Sequence, residues 1–230
     1  MNRVVRRILG GVAALSVTLV VVGWFLLRAS LPGMDGDVLV AGIDDTVTIE
    51  RDADGIPVIT ASTRKDLAFG TGFAHGQDRF FQMDLIRRQA AGELSELVGA
   101  AAVDVDKRYR FHRFRAHAQM VYDAASNAEK SLMEAYAAGV NEGLASLDAR
   151  PFEYFVLGAE PRAWEATDSL LAVYAMYMQL NDSRASKEIR RGLAHRVLPA
   201  EVYAWMYPQG TSWDAPIMGD ARSALPIPDA

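Results

Sequence analysis

The longest uninterrupted apolar run of the chain lies close to its amino terminus, from Ile8 to Leu27, and follows Arg3, Arg6 and Arg7. At about 1.5 Å per helical residue, this run is long enough to cross the hydrocarbon layer of a bilayer. No polar face interrupts it, which argues against a buried helix of a soluble domain. The pattern therefore predicts an amino-terminal apolar helix that crosses or enters a membrane.

Residues 1–30 are predicted to be a signal-anchor, with a cleaved signal peptide as the alternative. The apolar region of a signal peptide is shorter, about 7–15 residues, which favours the anchor; the small residues Ala29 and Ser30 keep cleavage open. In both interpretations the basic end stays in the cytoplasm. Residues 31–230 would then lie outside the cytoplasm, in a single-pass membrane protein or, after cleavage, in the periplasm.

Alternating apolar and polar positions after a Pro- and Gly-containing linker predict short strands at residues 38–40, 47–51 and 57–60. Val47 and Ile49 alternate with polar neighbours, as in a half-buried strand. The segment Asp52-Ala-Asp-Gly55 supplies turn residues between the last two strands. We therefore expect a β-hairpin here.

From Ser62 onward, apolar residues recur at helical spacing. Thr63 or Ser62 can cap a first helix, and Gly92 and Gly99 are expected breaks. Further helices are predicted over these ranges: 77–91, 104–125, 127–147, 167–180 and 184–198, with a short one from Pro199. The proline-containing tail from residue 207 is expected to be extended. The predicted fold class is α+β and predominantly helical.

Composition narrows the range of functions. Half of the 230 residues are hydrophobic, and the net charge is −5, so a general nucleic-acid binder with a concentrated basic face is not indicated. The basic and aromatic segment Arg108–Arg115 is interpreted as a helix with solvated arginines. The chain has no cysteine, which excludes disulfides and cysteine–metal sites.

The charged residues of the predicted helix at 77–91 favour a structural interpretation over a catalytic one. Asp84 and Arg88 are four residues apart and can pair on one helix face. Asp78 and Arg79 are adjacent and point to different sides. His75 is a possible acid or base by residue type, but it follows Phe73 and Ala74 and is interpreted as a packed histidine.

A set of motifs follows in a fixed order along the chain. These are Arg51-Asp-Ala-Asp-Gly-Ile-Pro-Val-Ile59, the block Gly72–Met83 with Arg87-Arg88, Gly92-Glu-Leu-Ser-Glu-Leu-Val-Gly99, Ala135–Asn141, Pro151–Gly158 and Pro161-Arg-Ala-Trp164. In order and spacing they resemble the amino-terminal, small-subunit region of the penicillin acylase family of N-terminal-nucleophile hydrolases. The resemblance covers roughly residues 32–216.

The resemblance implies an αββα hydrolase fold, of which residues 31–230 are the small-subunit part. It implies cleavage of an amide between an acyl group and an amine, in a β-lactam side chain, an N-acyl homoserine lactone or a similar molecule. The nucleophile would be a serine that opens a separate large subunit after the precursor cuts itself, with its α-amine, whose pKa is about 8, as the base.

No catalytic residue is therefore expected in this chain, and we expect it to be an inactive precursor fragment without its large-subunit partner. The alternative is a membrane-anchored, non-catalytic helical binding domain derived from a truncated acylase.

The same resemblance implies two kinds of site residue. Met178, Asn181 and Asp182 align with positions that line the acyl pocket, although the last two replace an arginine–aromatic pair of many members, so an aromatic acyl group is in doubt. Met178 could also be an ordinary core methionine. Glu188 aligns with a glutamate that binds structural calcium in many members, with a solvated surface charge as the alternative. No organic cofactor is expected.

Overall fold

The computed structural model describes residues 3–181, 185–220 and 227, with side chains from residue 11 onward. The chain divides into two compact units, Met1–Tyr177 and Met178–Ala230. Most of the described residues lie in helices, and two short strands form the sheet of the described part. The predicted α+β, predominantly helical class is confirmed.

The first helix, α1 (Arg3–Ala29), coincides with the predicted apolar segment. Within the described residues, its segment Gly11–Ala29 is long and apolar enough to cross a membrane, and none of it is buried against the rest of the chain. The apolar side chains of this segment are therefore not enclosed by protein, as expected of a helix whose surroundings are lipid.

The predicted hairpin is formed by β1 (Thr48–Arg51) and β2 (Pro57–Thr60), which pair antiparallel with Ile49 opposite Ile59. The Asp52 carboxylate accepts hydrogen bonds from the backbone N–H groups of residues 54 and 56, both at 2.9 Å. Gly55 has φ +77°, a conformation that favours glycine. These local interactions close the turn that the sequence predicted.

The longest helix of the main unit is α2 (Arg64–Ala91), which Thr63 caps by accepting a hydrogen bond from the Asp66 backbone N–H at 3.0 Å. A kink at Arg79, where φ is −149°, divides it. It ends at Gly92 in the left-handed conformation, φ +71°. The two segments predicted from Ser62 and from Gln77 are thus halves of one kinked helix.

The partner of α2 is α6 (Asn127–Ala145), which begins with a Ser126–Glu129 capping box. The two helices touch at the backbone. A Cβ added to Gly72 or Gly76 would lie 2.2 or 2.1 Å from a carbonyl oxygen of α6, and one added to Gly139 or Gly143 would lie 2.0 or 2.1 Å from one of α2. Because no side chain fits, these four glycines fix the distance between the helices.

The remaining helices of the first unit surround this pair. Their bounds are α3 (Ser95–Val98), a 3-10 turn (Gly99–Ala102), α4 (Val103–Arg110), α5 (Phe114–Ala124), α7 (Phe152–Leu157) and α8 (Ala166–Leu180), the last of which extends to the start of the second unit. The core gathers Phe80, Val140, Tyr154 and Trp164 between α2, α6 and α7. A second cluster places Phe69 and Phe73 under the hairpin.

The second unit contains α9 (Ser186–Val197) and α10 (Ala200–Met206). Its aromatic contacts link the two helices, with His195 edge-on to Tyr203 at 4.9 Å between ring centroids. The described residues 207–220 that follow form neither helix nor strand, as the prolines predicted.

Two predicted elements are wrong. Residues 38–40 do not form a strand; Val40 instead packs against the cluster around Phe69. The helix predicted over 104–125 is two helices, because the chain turns at residues 111–113 and Arg113 takes φ +55°. The basic residues that precede this turn lie at the end of α4, and a continuous helical pattern cannot reveal such a local reversal.

Candidate functional site

A cluster of charged side chains is enclosed between α2, α7 and the start of α8. We refer to Asp84, Arg87, Arg88, Tyr154 and Asp168 as the buried ionic cluster. Their exposed fractions are between 0% and 4%. Charged groups are seldom buried unless they are paired, so every contact within this cluster has a structural consequence.

Arg87 is the centre of the cluster. Its Nε donates to the Asp84 carboxylate at 2.7 Å, and its Nη1 donates to Asp168 at 2.5 Å. The guanidinium also donates to the carbonyl oxygens of residues 162 and 163 and lies 4.9 Å from the centre of the Trp164 ring. One side chain thus holds α2, the loop before α8 and the first turn of α8 together.

Asp84 accepts hydrogen bonds from three other members of the cluster. Besides Arg87, these are Arg88 Nε at 2.9 Å, which confirms the predicted pair four residues apart, and the Tyr154 hydroxyl at 2.7 Å. Burial, and then the hydrogen bond and the charge of Asp84, raise the pKa of Tyr154 well above its ordinary value. The tyrosine is therefore a neutral hydrogen-bond donor at all working pH values.

Glu93 lies at the rim of the cluster, just after α2. Arg115 donates to both of its carboxylate oxygens, at 2.6 and 2.7 Å, and Arg162 lies 3.4 Å away. Burial raises the pKa of Glu93, but these arginines together with Arg88 hold it below its ordinary value. The rim carboxylate is thus ionised and shared between arginines of two elements.

The buried ionic cluster is therefore suited to holding helices in place, as the sequence interpretation favoured. Arg87 and Asp84 have 0% side-chain exposure, so a substrate cannot reach them without the helices separating. The cluster was only partly predictable. An arginine pair inside an apolar helical pattern was the available signal, whereas Asp168 and Tyr154 lie far away in sequence.

A second polar contact connects the hairpin to the kink of α2. Arg51 donates to both carboxylate oxygens of Asp78, at 2.7 and 2.9 Å. Beside it lies a cleft of about 490 Å³ with a mixed wall, in which the apolar Val40, Ile49 and Phe73 lie together with polar side chains. The bidentate pair fixes the position of the hairpin over this cleft.

His75 links α2 to α6, as its interpretation as a packed histidine anticipated. Its Nδ1 is 2.8 Å from the Tyr136 hydroxyl. Burial lowers the pKa of His75, Arg79 lowers it further, and Asp78 opposes the change. Burial raises the pKa of Tyr136 to about 12. Both side chains are therefore uncharged near pH 7, and the hydrogen bond between them joins α2 to α6.

Two of the residues predicted to line an acyl pocket lie at the end of α8. Met178 is half-buried in its last turn, and Asn181 follows the helix and is exposed. Asp182 lies outside the described residues. The role of all three in substrate binding stays a prediction.

Glu188 lies in the first turn of α9 and is exposed. In the described part of the chain, no three His, Asp or Glu side chains are grouped so that they could hold a metal ion. Calcium prefers six or more oxygen ligands, so the described residues do not form a calcium site by themselves. Calcium binding through Glu188 stays a prediction that needs ligands from elsewhere.

Comparison with known proteins gives consistent results. The family model described as penicillin amidase matches residues 46–221. The chain is 40% identical over 144 residues to the penicillin acylase 2 proenzyme of Pseudomonas sp. (strain SE83), covering 63% of this chain and 19% of that protein. It is 32% identical over 180 residues to the acyl-homoserine lactone acylase QuiP of Pseudomonas aeruginosa, covering 78% and 21%.

Among solved structures, the chain is similar to a thermostable penicillin G acylase from Alcaligenes faecalis, with a TM-score of 0.56 and 26% identity. The match covers 77% of this chain and 98% of that chain. In contrast, this chain spans about a fifth of the length of the curated relatives it matches.

Proposed function

This chain belongs to the penicillin amidase family, and on that premise we propose that it is the small-subunit region of an acylase-type amide hydrolase. The observation that carries the proposal is the structural match that covers 98% of one chain of a penicillin G acylase. A fragment that corresponds to nearly all of such a chain is what the small-subunit region of a precursor should be.

In the proposed enzyme, a large subunit supplies the reaction centre. Its amino-terminal serine attacks the amide carbonyl carbon, and the free α-amine accepts the hydroxyl proton. The acyl group stays on the serine oxygen as an ester while the amine leaves with a proton, and water then releases the acid. Oxyanion donors of the large subunit stabilise the charge that develops.

The proposed role of this chain is to shape the substrate site and support the large subunit. The buried ionic cluster fixes the start of α8, and Met178 at its other end would form part of the acyl pocket. A flexible thioether adapts to apolar groups of different shape. Some apolar side chains are largely exposed to solvent, such as Phe111, which is 85% exposed, and Met120, which is 64% exposed. A large subunit would cover side chains of this kind.

The substrate is proposed to be a small acylated amine. The names of the relatives include a penicillin acylase and an acyl-homoserine lactone acylase, so an assay should contain phenylacetyl amides, aliphatic acyl amides and N-acyl homoserine lactones. We expect turnover when the full chain is co-expressed with a large-subunit region that opens with serine. The control is the same pair with that serine replaced by alanine.

Two results would contradict the proposal. One is amide turnover by this chain alone that a substitution within the chain abolishes. The other is a stable, correctly cut pair of subunits that hydrolyses none of the three substrate classes. The second result would favour a non-catalytic binding domain instead.

We further propose that α1 anchors the protein in the membrane with residues 31–230 on the extracytoplasmic side. Its support is the length of the apolar helix and the absence of buried residues from its segment Gly11–Ala29, together with its basic flank. Cell fractionation and amino-terminal sequencing test this. A soluble extracytoplasmic form that begins near Ala29 would show a cleaved signal peptide.

Calcium is proposed only as a structural ion that Glu188 would share with oxygen ligands of the large subunit. For the assembled pair, we expect a chelator to lower the unfolding temperature, and we expect Glu188→Gln to remove that effect. Glu201→Gln on α10 is a matched control on the neighbouring helix. An unchanged response to the chelator in Glu188→Gln would exclude a role for this side chain.

A further inference from the structure

The carboxyl-terminal end of α1 is fixed to the body of the first unit. The backbone N–H of Ala149 donates to the carbonyl oxygen of Ala29 at 2.9 Å. Beside this contact lies a cleft of about 370 Å³, whose walls include Trp24 and Leu27 of α1 and Phe152 of α7. The first turn of α7 therefore lies next to the last turns of α1.

The side chains at this end of α1 are those expected at a membrane–water interface. Trp24 is followed by Arg28, whose guanidinium carbon lies 5.8 Å from the centre of the Trp24 ring. Tryptophan is enriched at the headgroup level of membranes, and arginine near a helix end extends toward that level. When α1 crosses a bilayer, the cleft and the start of α7 thus lie at headgroup depth.

The short helix α7 has two different faces. Tyr154 is fully buried in the buried ionic cluster, whereas Phe152 and Val156 are exposed by 46% and 79%. Residues four apart lie on the same side of a helix, so these two side chains form one outward apolar face. The buried ionic cluster contacts the opposite side of α7 through Tyr154 and so fixes the orientation of this apolar face.

The charges around the cleft are mixed. Arg28 and Arg79 are the positive groups of its wall, and Asp78 and Glu153 are the negative groups. Arg51 pairs with Asp78, so the region has only a small excess of positive charge. Its attraction to a bilayer would therefore be mainly apolar and interfacial, and zwitterionic lipid should be sufficient.

We propose that Phe152 and Val156 make a second membrane contact, in which α7 lies in the extracytoplasmic interface of the bilayer that α1 crosses. This inference rests on the proposed anchoring of α1. With this second contact, the first unit is held against the membrane in one orientation. With α1 alone, it would rotate freely on its anchor.

The absence of cysteine from the chain allows a direct test with single labelling sites. The variants Val156→Cys, Val20→Cys and Met120→Cys each carry one environment-sensitive dye in the full chain, reconstituted in phosphatidylcholine vesicles. Val20 reports on α1. Met120 is an exposed apolar residue on α5 and serves as the matched control. Nitroxide lipids labelled at shallow or deep positions quench from the membrane, and iodide quenches from water.

We expect the shallow nitroxide to quench the dye at position 156 several-fold more than the dye at position 120. Iodide should instead quench the dye at position 120 more than the dye at position 156. Equal iodide quenching at both positions, while the deep nitroxide quenches position 20, would overturn the α7 contact and leave the anchor intact. No nitroxide quenching at position 20 would overturn the anchoring, and the inference with it. Replacing part of the lipid by an anionic lipid should leave the contrast between positions 156 and 120 unchanged.

Discussion

Arg87 and Asp168 are 81 positions apart in the sequence, yet their side chains are in contact at 2.5 Å and neither has any solvent exposure. Asp168 also accepts a hydrogen bond from the backbone N–H of Glu165 at 2.9 Å. The first turn of α8 is therefore held by a charge located on α2. The stability of this region should depend on that pair more than on any ion pair at the surface.

Asp168→Asn should strongly destabilise the first unit. The amide keeps the size of the side chain but removes one of the two carboxylates that compensate the buried Arg87 charge, and leaves Asp84 to serve both Arg87 and Arg88. Breaking a buried pair in this way costs about 3–5 kcal/mol. Urea unfolding of the full chain in mild detergent measures it, with the fluorescence of Trp164 as a nearby signal. Asp104→Asn is the control, because Asp104 pairs with Lys107 at 3.6 Å at an exposed site and should have little effect. Equal losses in both variants would contradict the assignment.

Gly72→Ala should destabilise the contact between α2 and α6. The added Cβ would lie 2.2 Å from the carbonyl oxygen of Tyr136, so the helices must move apart at a cost of about 1–3 kcal/mol. Gly192→Ala on α9 is the matched control, since nothing lies within 4 Å of the added atom. That change should stabilise its helix by about 0.5–1 kcal/mol. In thermal unfolding, Gly72→Ala should therefore lower the unfolding temperature, whereas Gly192→Ala should not lower it.

His75 should make stability depend on pH. Its pKa is lowered in the folded protein, by burial first and then by Arg79, while an unfolded histidine has a pKa of about 6.5. The unfolded state thus takes up the proton first. Stability should be fully present above about pH 6.5 and should fall as the pH drops toward the lower pKa of the folded state.

The measurement is the unfolding temperature of the wild type and of His75→Gln between about pH 5 and about pH 7. The variant should show a flatter dependence. His117→Gln, on the exposed side of α5, is the control and should retain the wild-type slope. A slope that His75→Gln leaves unchanged would mean that another group titrates.

Met178→Ala should change selectivity for the acyl group in the assembled enzyme. Met178 is half-buried at the end of α8, whereas Met176 on the same helix is 53% exposed. If Met178 lines the pocket, its shortening should shift kcat/KM toward larger acyl groups, with a smaller effect on unfolding temperature. Met176→Ala should leave the order of substrates unchanged. The same order of substrates in both variants would assign Met178 to the core.

Local patterns in the sequence predicted the elements whose cause is itself local. The hairpin follows from alternation and from the Asp52 turn, and α6 follows from the helical spacing of its apolar residues. The end of α2 follows from Gly92. The apolar helix α1 follows from composition alone. These features are set within a few residues, so they can be recognised without knowledge of the rest of the chain.

What the sequence could not predict depends on contacts between distant segments. The pairing of Arg87 with Asp168 joins residues 81 positions apart. The kink at Arg79 and the reversal at Arg113 also interrupt patterns that continue as helix in the sequence. The strand expected at residues 38–40 failed for the same reason, because Val40 packs against the cluster around Phe69 instead of pairing with a neighbour. Within the candidate site, only pairs on one helix were accessible, because a helix brings together residues three and four positions apart. The Asp84–Arg88 pair was predicted in this way, and the Asp84–Arg87 pair was not.

The backbone contact between α2 and α6 has a practical consequence for directed evolution. Random mutagenesis of this region will lose most variants at Gly72, Gly76, Gly139 and Gly143, since each position is a place where another backbone already lies. A library that leaves these four codons unchanged and varies the end of α8 would keep far more of its members folded. A search for variants of the proposed acylase with changed selectivity should therefore begin at the end of α8, away from the backbone contact between α2 and α6.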